Sequence, residues 1–185
     1  MASILRFDNW QSSDGTSIAT TDASGNISFA GAGAGKILQV VSTTKTDTFS
    51  ASVTLASFTP ITGFEVSITP NSASSKILVV AQATIGSSSQ VAALQLRRNG
   101  TDILQSDSSA DKVSTTGRIP ITGTSSTVLA TIVYEDSPAS TSSLTYDCSI
   151  SADTSATVYL NRAHITGNAY NFRGASTITV MEVSA

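Results

Sequence analysis

Leu144-Thr145-Tyr146-Asp147-Cys148-Ser149-Ile150-Ser151 alternates large or apolar side chains with small and polar ones. A period of two marks a strand with one buried face, which directs Tyr146, Cys148 and Ile150 into a core and Thr145, Asp147 and Ser149 toward water. Phe64, Val66 and Ile68 repeat the pattern. Outward from these two stretches, short runs rich in β-branched residues recur between clusters of Ser, Thr, Asn, Asp and Gly. They predict strands over Lys36 to Ser42, Thr62 to Thr69, Lys76 to Ile85, Val91 to Arg98, Ile103 to Ser106, Val128 to Glu135, Leu144 to Ser151, Thr157 to Asn161 and Ser176 to Val183. Helical periodicity is nearly absent. In Arg98-Asn99-Gly100-Thr101 an Asn-Gly pair between two apolar runs predicts a tight hairpin. Pro70-Asn71 and Ser137-Pro138 close other strands, because proline cannot donate to a central ladder. Evenly spaced short strands of this kind predict an all-β fold, an antiparallel β-sandwich or jelly roll.

The chain has 185 residues and 19.0 kDa, enough for one such domain and a short appendage. Charged residues make up 12% of it, against 58 Ser and Thr, so hydroxyls must cover much of the surface. Apolar residues reach 40%, which sets the chain apart from disordered sequences. The net charge is −3 and the ten cations are scattered, leaving no electropositive footprint for nucleic acid. The longest apolar runs, such as Ile77 to Ala81, fall far short of a membrane span. Met1 to Asp8 lacks the basic start and apolar stretch of a secretory signal, so Sec-type export is not expected. One cysteine, Cys148, excludes an intrachain disulfide, and stability is expected from packing or assembly.

Residues 1–35 read differently from 36–185. Ile18 to Phe29 can form a small hairpin about Ser24-Gly25-Asn26, yet it has too few large apolar residues for a core of its own. Leu5, Phe7 and Trp10 form an apolar cluster outside the main pattern, a candidate anchor that docking or self-trimerisation would bury. Gly31-Ala32-Gly33-Ala34-Gly35 then supplies a hinge, or a passage where three backbones run close to a shared axis. The expected organisation is an extended N-terminal segment over 1–35 and a β-sandwich over 36–185.

Catalytic chemistry is not legible. His164 is the only histidine, which rules out two-histidine metal motifs, and it sits in a Gly- and Asn-rich loop. Cys148 lies within an alternating strand and reads as a buried small hydrophobe. Glu135-Asp136 is the one adjacent carboxylate pair, its members on opposite faces of a strand and best suited to a strand-end turn. Asp107 and Asp111 lack the glycine and terminal glutamate of a calcium loop. Gly31 to Lys36 lacks the first glycine and the closing Ser/Thr of a phosphate loop. No catalytic, cofactor or metal residues are assigned, and the expectation is not an enzyme. Recognition is the remaining class. Asn161 to Gly174 gathers His164, Asn168, Tyr170, Phe172 and Arg173, a composition that stacks on and hydrogen-bonds to sugars or protein surfaces. Ser106 to Arg118 is a second polar loop of the same kind.

Several blocks in order resemble a β-rich module of tailed bacteriophages, especially marine and cyanobacterial ones. They are Gly35 to Ser50, beginning Gly35-Lys36-Ile37-Leu38-Gln39-Val40-Val41; Ile61-Thr62-Gly63-Phe64-Glu65-Val66-Ser67-Ile68-Thr69-Pro70; Ser74 to Val79; Tyr134-Glu135-Asp136-Ser137-Pro138; and Ser176 to Val183. Asp14 to Phe29 is similar to the short lead-in repeats of phage fibre proteins. The resemblance implies a virion surface protein, a tail fibre or head fibre, built as a homotrimer of TNF/C1q-like jelly-roll knobs and made in the host cytoplasm. It implies partners among other virion proteins through residues 1–35 and a host cell-surface glycan or protein at the loops. The alternative it leaves is a capsid decoration protein that stabilises the head. It carries over no catalytic residues.

Overall fold

The computed structural model describes residues 9–21, 27–29, 35–107, 113–167 and 173–185. Fourteen strands run through them in chain order: β1 (Asn9–Gln11), β2 (Ser17–Thr21), β3 (Ile27–Phe29), β4 (Ile37–Lys45), β5 (Phe49–Val53), β6 (Thr59–Ile68), β7 (Lys76–Ser87), β8 (Val91–Arg98), β9 (Thr101–Ile103), β10 (Gly117–Pro120), β11 (Val128–Asp136), β12 (Leu144–Ala152), β13 (Ala156–Leu160) and β14 (Ser176–Val183). β1, β2 and β3 form an antiparallel meander of their own.

The remaining strands make two antiparallel sheets. One runs β4-β14-β7-β11, with β5 and β13 continuing β4 and β14 along the far end of β7. The other runs β6-β12-β8-β10, with β9 sharing the β8 edge. Taking β4, β6, β7, β8, β10, β11, β12 and β14 as first to eighth, the sheets read 1-8-3-6 and 2-7-4-5, the connectivity of a jelly roll. The expected all-β sandwich is the fold of this chain.

Alternation explains the core between the sheets. Phe64, Val66 and Ile68 from β6, Ile77, Val79 and Ile85 from β7, Tyr146, Cys148 and Ile150 from β12, and Ile178 and Val180 from β14 are all buried there. The Asn99-Gly100 hairpin forms as expected. Both residues have positive φ, 50° and 77°, and Arg98 pairs with Thr101.

Four expectations change. The strand expected over Ile103 to Ser106 is instead Thr101–Ile103, because Leu104 takes a left-handed φ of 53° and ends it. β5 and β10 were not expected: they are short, and Ser in β5 and Pro120 in β10 hide their periodicity. Asp147 and Ser149 are buried instead of facing water. β12 is the central strand of its sheet, Arg97 covers Asp147, and the neighbouring Ser151 lies under the 54–58 segment, its hydroxyl donating to Thr54 O. Asp136, expected at a strand-end turn, is a buried clamp between the sheets: Arg98 Nη1 donates to its Oδ1 and Oδ2 at 2.8 and 2.6 Å, and the Tyr146 hydroxyl donates to Oδ2 at 2.6 Å.

Candidate functional site

The loop after β13 opens with a structural residue. Asn161 is fully buried with φ 62°, and its Nδ2 donates to Lys45 O at 2.8 Å and Asp47 O at 2.9 Å. Its Oδ1 accepts from Ser176 Oγ, whose oxygen in turn accepts from Thr84 N. One amide thus holds the breaks between β4 and β5 and between β13 and β14 against β7. The loop then crosses close over β7: a side chain at Gly86 would place its Cβ 2.4 Å from Arg162 O, so only glycine fits there.

His164 is engaged by its own loop. Its Nδ1 lies 2.7 Å from the Tyr159 hydroxyl, the two rings are 5.4 Å apart, and the Arg162 guanidinium sits 4.0 Å above the Tyr159 ring. Tyr159 is buried and His164 half-buried, so this stack braces the loop base. Arg173 is exposed beyond it. Asn168, Tyr170 and Phe172 lie outside the described residues. The second loop packs along β8, where Gln95 is fully buried: its Nε2 donates to Ile103 O and its Oε1 accepts from Thr116 N. No hydrogen bond or ring contact joins the two loops among the described residues. Of the candidate anchor, Leu5 and Phe7 lie outside the described residues, and Trp10 sits on β1 opposite Ala19 with 63% of its surface exposed.

Cys148 is fully buried, and burial pushes its thiol up to about 12. Among the described residues no three His, Cys, Asp or Glu side chains are grouped to hold a metal ion. The two most buried ion pairs, Arg97–Asp147 and Arg98–Asp136, bind strand to strand and sheet to sheet.

The two outer faces of the sandwich differ in chemistry. The β6-β12-β8-β10 face carries Glu65, Arg97, Asp147 and Arg118. The β4-β14-β7-β11 face is largely uncharged along two rows, with Val40 opposite Met181, Met181 opposite Leu78, and Val80 opposite Val133, and the first row ends at Glu135, which Lys76 neutralises. Leu129 and Val133 on β11 are 58% and 63% exposed. A groove of about 360 Å³ runs between β10 and β11, its walls including Leu94, Leu104, Ile119 and Ile132. Sequence reasoning missed this surface although its signal is present: Val128 to Val133 is apolar in both phases of the alternation, which marks a strand with something to bury on each face.

No protein-family model matches the chain, and no curated protein matches it. Among solved structures, a chain from the structure of infectious bursal disease virus, Gx strain, is similar at a TM-score of 0.36 and 16% identity, over 86% of this chain and 43% of that one. This chain therefore spans less than half the length of that one. The jelly-roll connectivity stands on this chain's own ladders.

Proposed function

We propose that the chain is a non-enzymatic structural protein of a phage virion surface, a homotrimeric tail or head fibre whose jelly roll meets the host and whose residues 1–35 hold it on the particle. The observation that carries the reading is the pairing of a jelly-roll sandwich with surfaces made for other proteins: the exposed Trp10 on the N-terminal meander and the neutral, partly apolar face of β4-β14-β7-β11. The ordered phage-like sequence blocks support it, as does a hydroxyl-rich surface suited to hydrogen bonding without a strong field. His164, Asn168, Tyr170, Phe172 and Arg173 are the proposed host-contacting residues, with the Tyr159–His164 stack as their rigid base. Leu5, Phe7 and Trp10 are the proposed anchor.

The second reading, capsid decoration, is favoured by the same neutral face, which suits lateral packing on a shell. Adsorption competition separates the two. Purified chain added to host cells before infection is expected to occupy receptors and slow particle adsorption in proportion to dose. Adsorption unchanged at saturating dose removes the host-binding role and leaves decoration.

A further inference from the structure

The open side of the sandwich is bounded by β11, and β11 differs from every other edge of the two sheets. An edge strand exposes a row of unpaired N–H and C=O groups, and proteins guard such rows with brevity, proline, charge, bulges or cover. β5, β9 and β10 are short, and β10 carries Pro120 and Arg118. β6 has Pro60, Glu65 and a register break against β12. β4 is covered by β6: Gln39 Nε2 donates to Thr69 O, and Lys45 Nζ lies 3.2 Å from where a Cβ at Gly63 would stand. β11 has none of these. It runs nine residues against β7 without a register shift and contains no Pro, Gly, Lys or Arg. Its outer edge pairs with no strand among the described residues. Its two acids are already neutralised within the chain, Glu135 by Lys76 and Asp136 by Arg98.

We infer that β11 joins two copies of this chain, edge to edge and antiparallel, about a two-fold axis at Ile132. Directly opposed residues in an antiparallel pair share a face, so the axis must pass through a residue, and Ile132 is the centre that pairs all nine positions. In that register Leu129 meets the partner's Glu135, Thr131 meets the partner's Val133, and Ala130 meets the partner's Tyr134. No charge meets a like charge. This complementarity of the strand with itself is what selects a second copy as the occupant, and the isologous contact closes at two copies. The join continues the outer face from one copy into the next, with Leu129 beside the partner's Glu135, and brings the two β10–β11 grooves together beneath the paired strands, covering Leu104. The inference rests on the edge chemistry and is independent of the virion reading. A threefold contact through residues 1–35 and this two-fold contact use different surfaces.

The test uses the full chain. In a Thr131→Cys/Val133→Cys variant each new thiol faces its opposite number across the axis, at a Cα separation of about 4.5–5.5 Å that a disulfide spans. Mild oxidation is expected to give a covalent species of twice the 19.0 kDa chain mass. Wild-type chain, whose Cys148 is buried, and a Val40→Cys/Ser42→Cys control on β4 are expected to stay uncrosslinked. Separately, Thr131→Lys/Val133→Lys puts charge only on exposed positions and sets each lysine directly opposite a lysine of the partner. It is expected to halve the assembly mass in sedimentation, whatever other contacts exist, with the thermal midpoint kept. Crosslinking no greater than in the β4 control, or an assembly mass unchanged by the lysines, overturns the inference.

Discussion

Glu182 is a carboxylate with no exposed surface, held on the inward face of β14. Burial alone would raise its pKa. Hydrogen bonds from Gln39, Ser75, and the main-chain N–H groups of Asn71 and Ser72 outweigh that and keep it below its ordinary value of 4.5. The carboxylate so pins the turn between β6 and β7 to the last strand. A pKa depressed in the folded state contributes stability that is complete above the unfolded value and is lost as pH falls through the folded one. Wild-type stability is therefore expected to fall more steeply below pH 4.5 than that of Glu182→Gln, in urea titrations repeated across that range. Parallel slopes for the two proteins would show that the carboxylate is not the acid-sensitive group. The partners of Glu182 were not legible in the sequence, although the burial of Cys148 was. An alternating strand announces which positions face inward, and Glu182 falls in the inward phase with Ile178 and Val180, but which donors meet it depends on a turn more than 100 residues away.

At the scale of elements, the sequence marked strands well wherever one apolar phase was buried against one polar phase, as in β6 and β14. It missed the short strands β5 and β10, and in β12, found as a strand, it misassigned Asp147 and Ser149 to water because both phases are covered. The Asn99-Gly100 hairpin was legible because its turn chemistry is local. The joint at Asn161 was not, since it ties segments from four strands through one amide. Asn161→Ala removes two donated hydrogen bonds and one accepted one from a buried site, and forces alanine into a left-handed φ. At about 1 kcal/mol for each lost hydrogen bond and more for each group left unpaired, the expected loss is about 3 kcal/mol or greater. A urea midpoint within error of wild type would show that the split strands hold without the amide. A folded Asn161→Ala protein should also loosen the loop that carries His164, Asn168, Tyr170, Phe172 and Arg173, because that loop starts from this joint.

For the whole molecule, the jelly roll was legible as a class and its strand order was not. Spacing and turns count strands, whereas the order 1-8-3-6 and 2-7-4-5 is set by long-range pairing such as β4 with β14. The neutral outer face and the unguarded β11 edge emerge only once that order is known, for they consist of residues far apart in sequence. These surfaces make sense of a low-charge chain whose stability cannot come from disulfides and whose N-terminal meander leaves Trp10 largely exposed. They ask for neighbours, which the proposed virion surface would supply. The proposal that this is a virion surface protein is tested most directly by locating the chain on purified particles of the phage proposed to encode it, by electron cryomicroscopy with antibody fragments raised against residues 36–185. The account predicts antibody density on the outer surface of intact particles, on tail or head, over a knob of jelly-roll dimensions. Particles that carry no such density while the chain is abundant in the infected-cell lysate would contradict it.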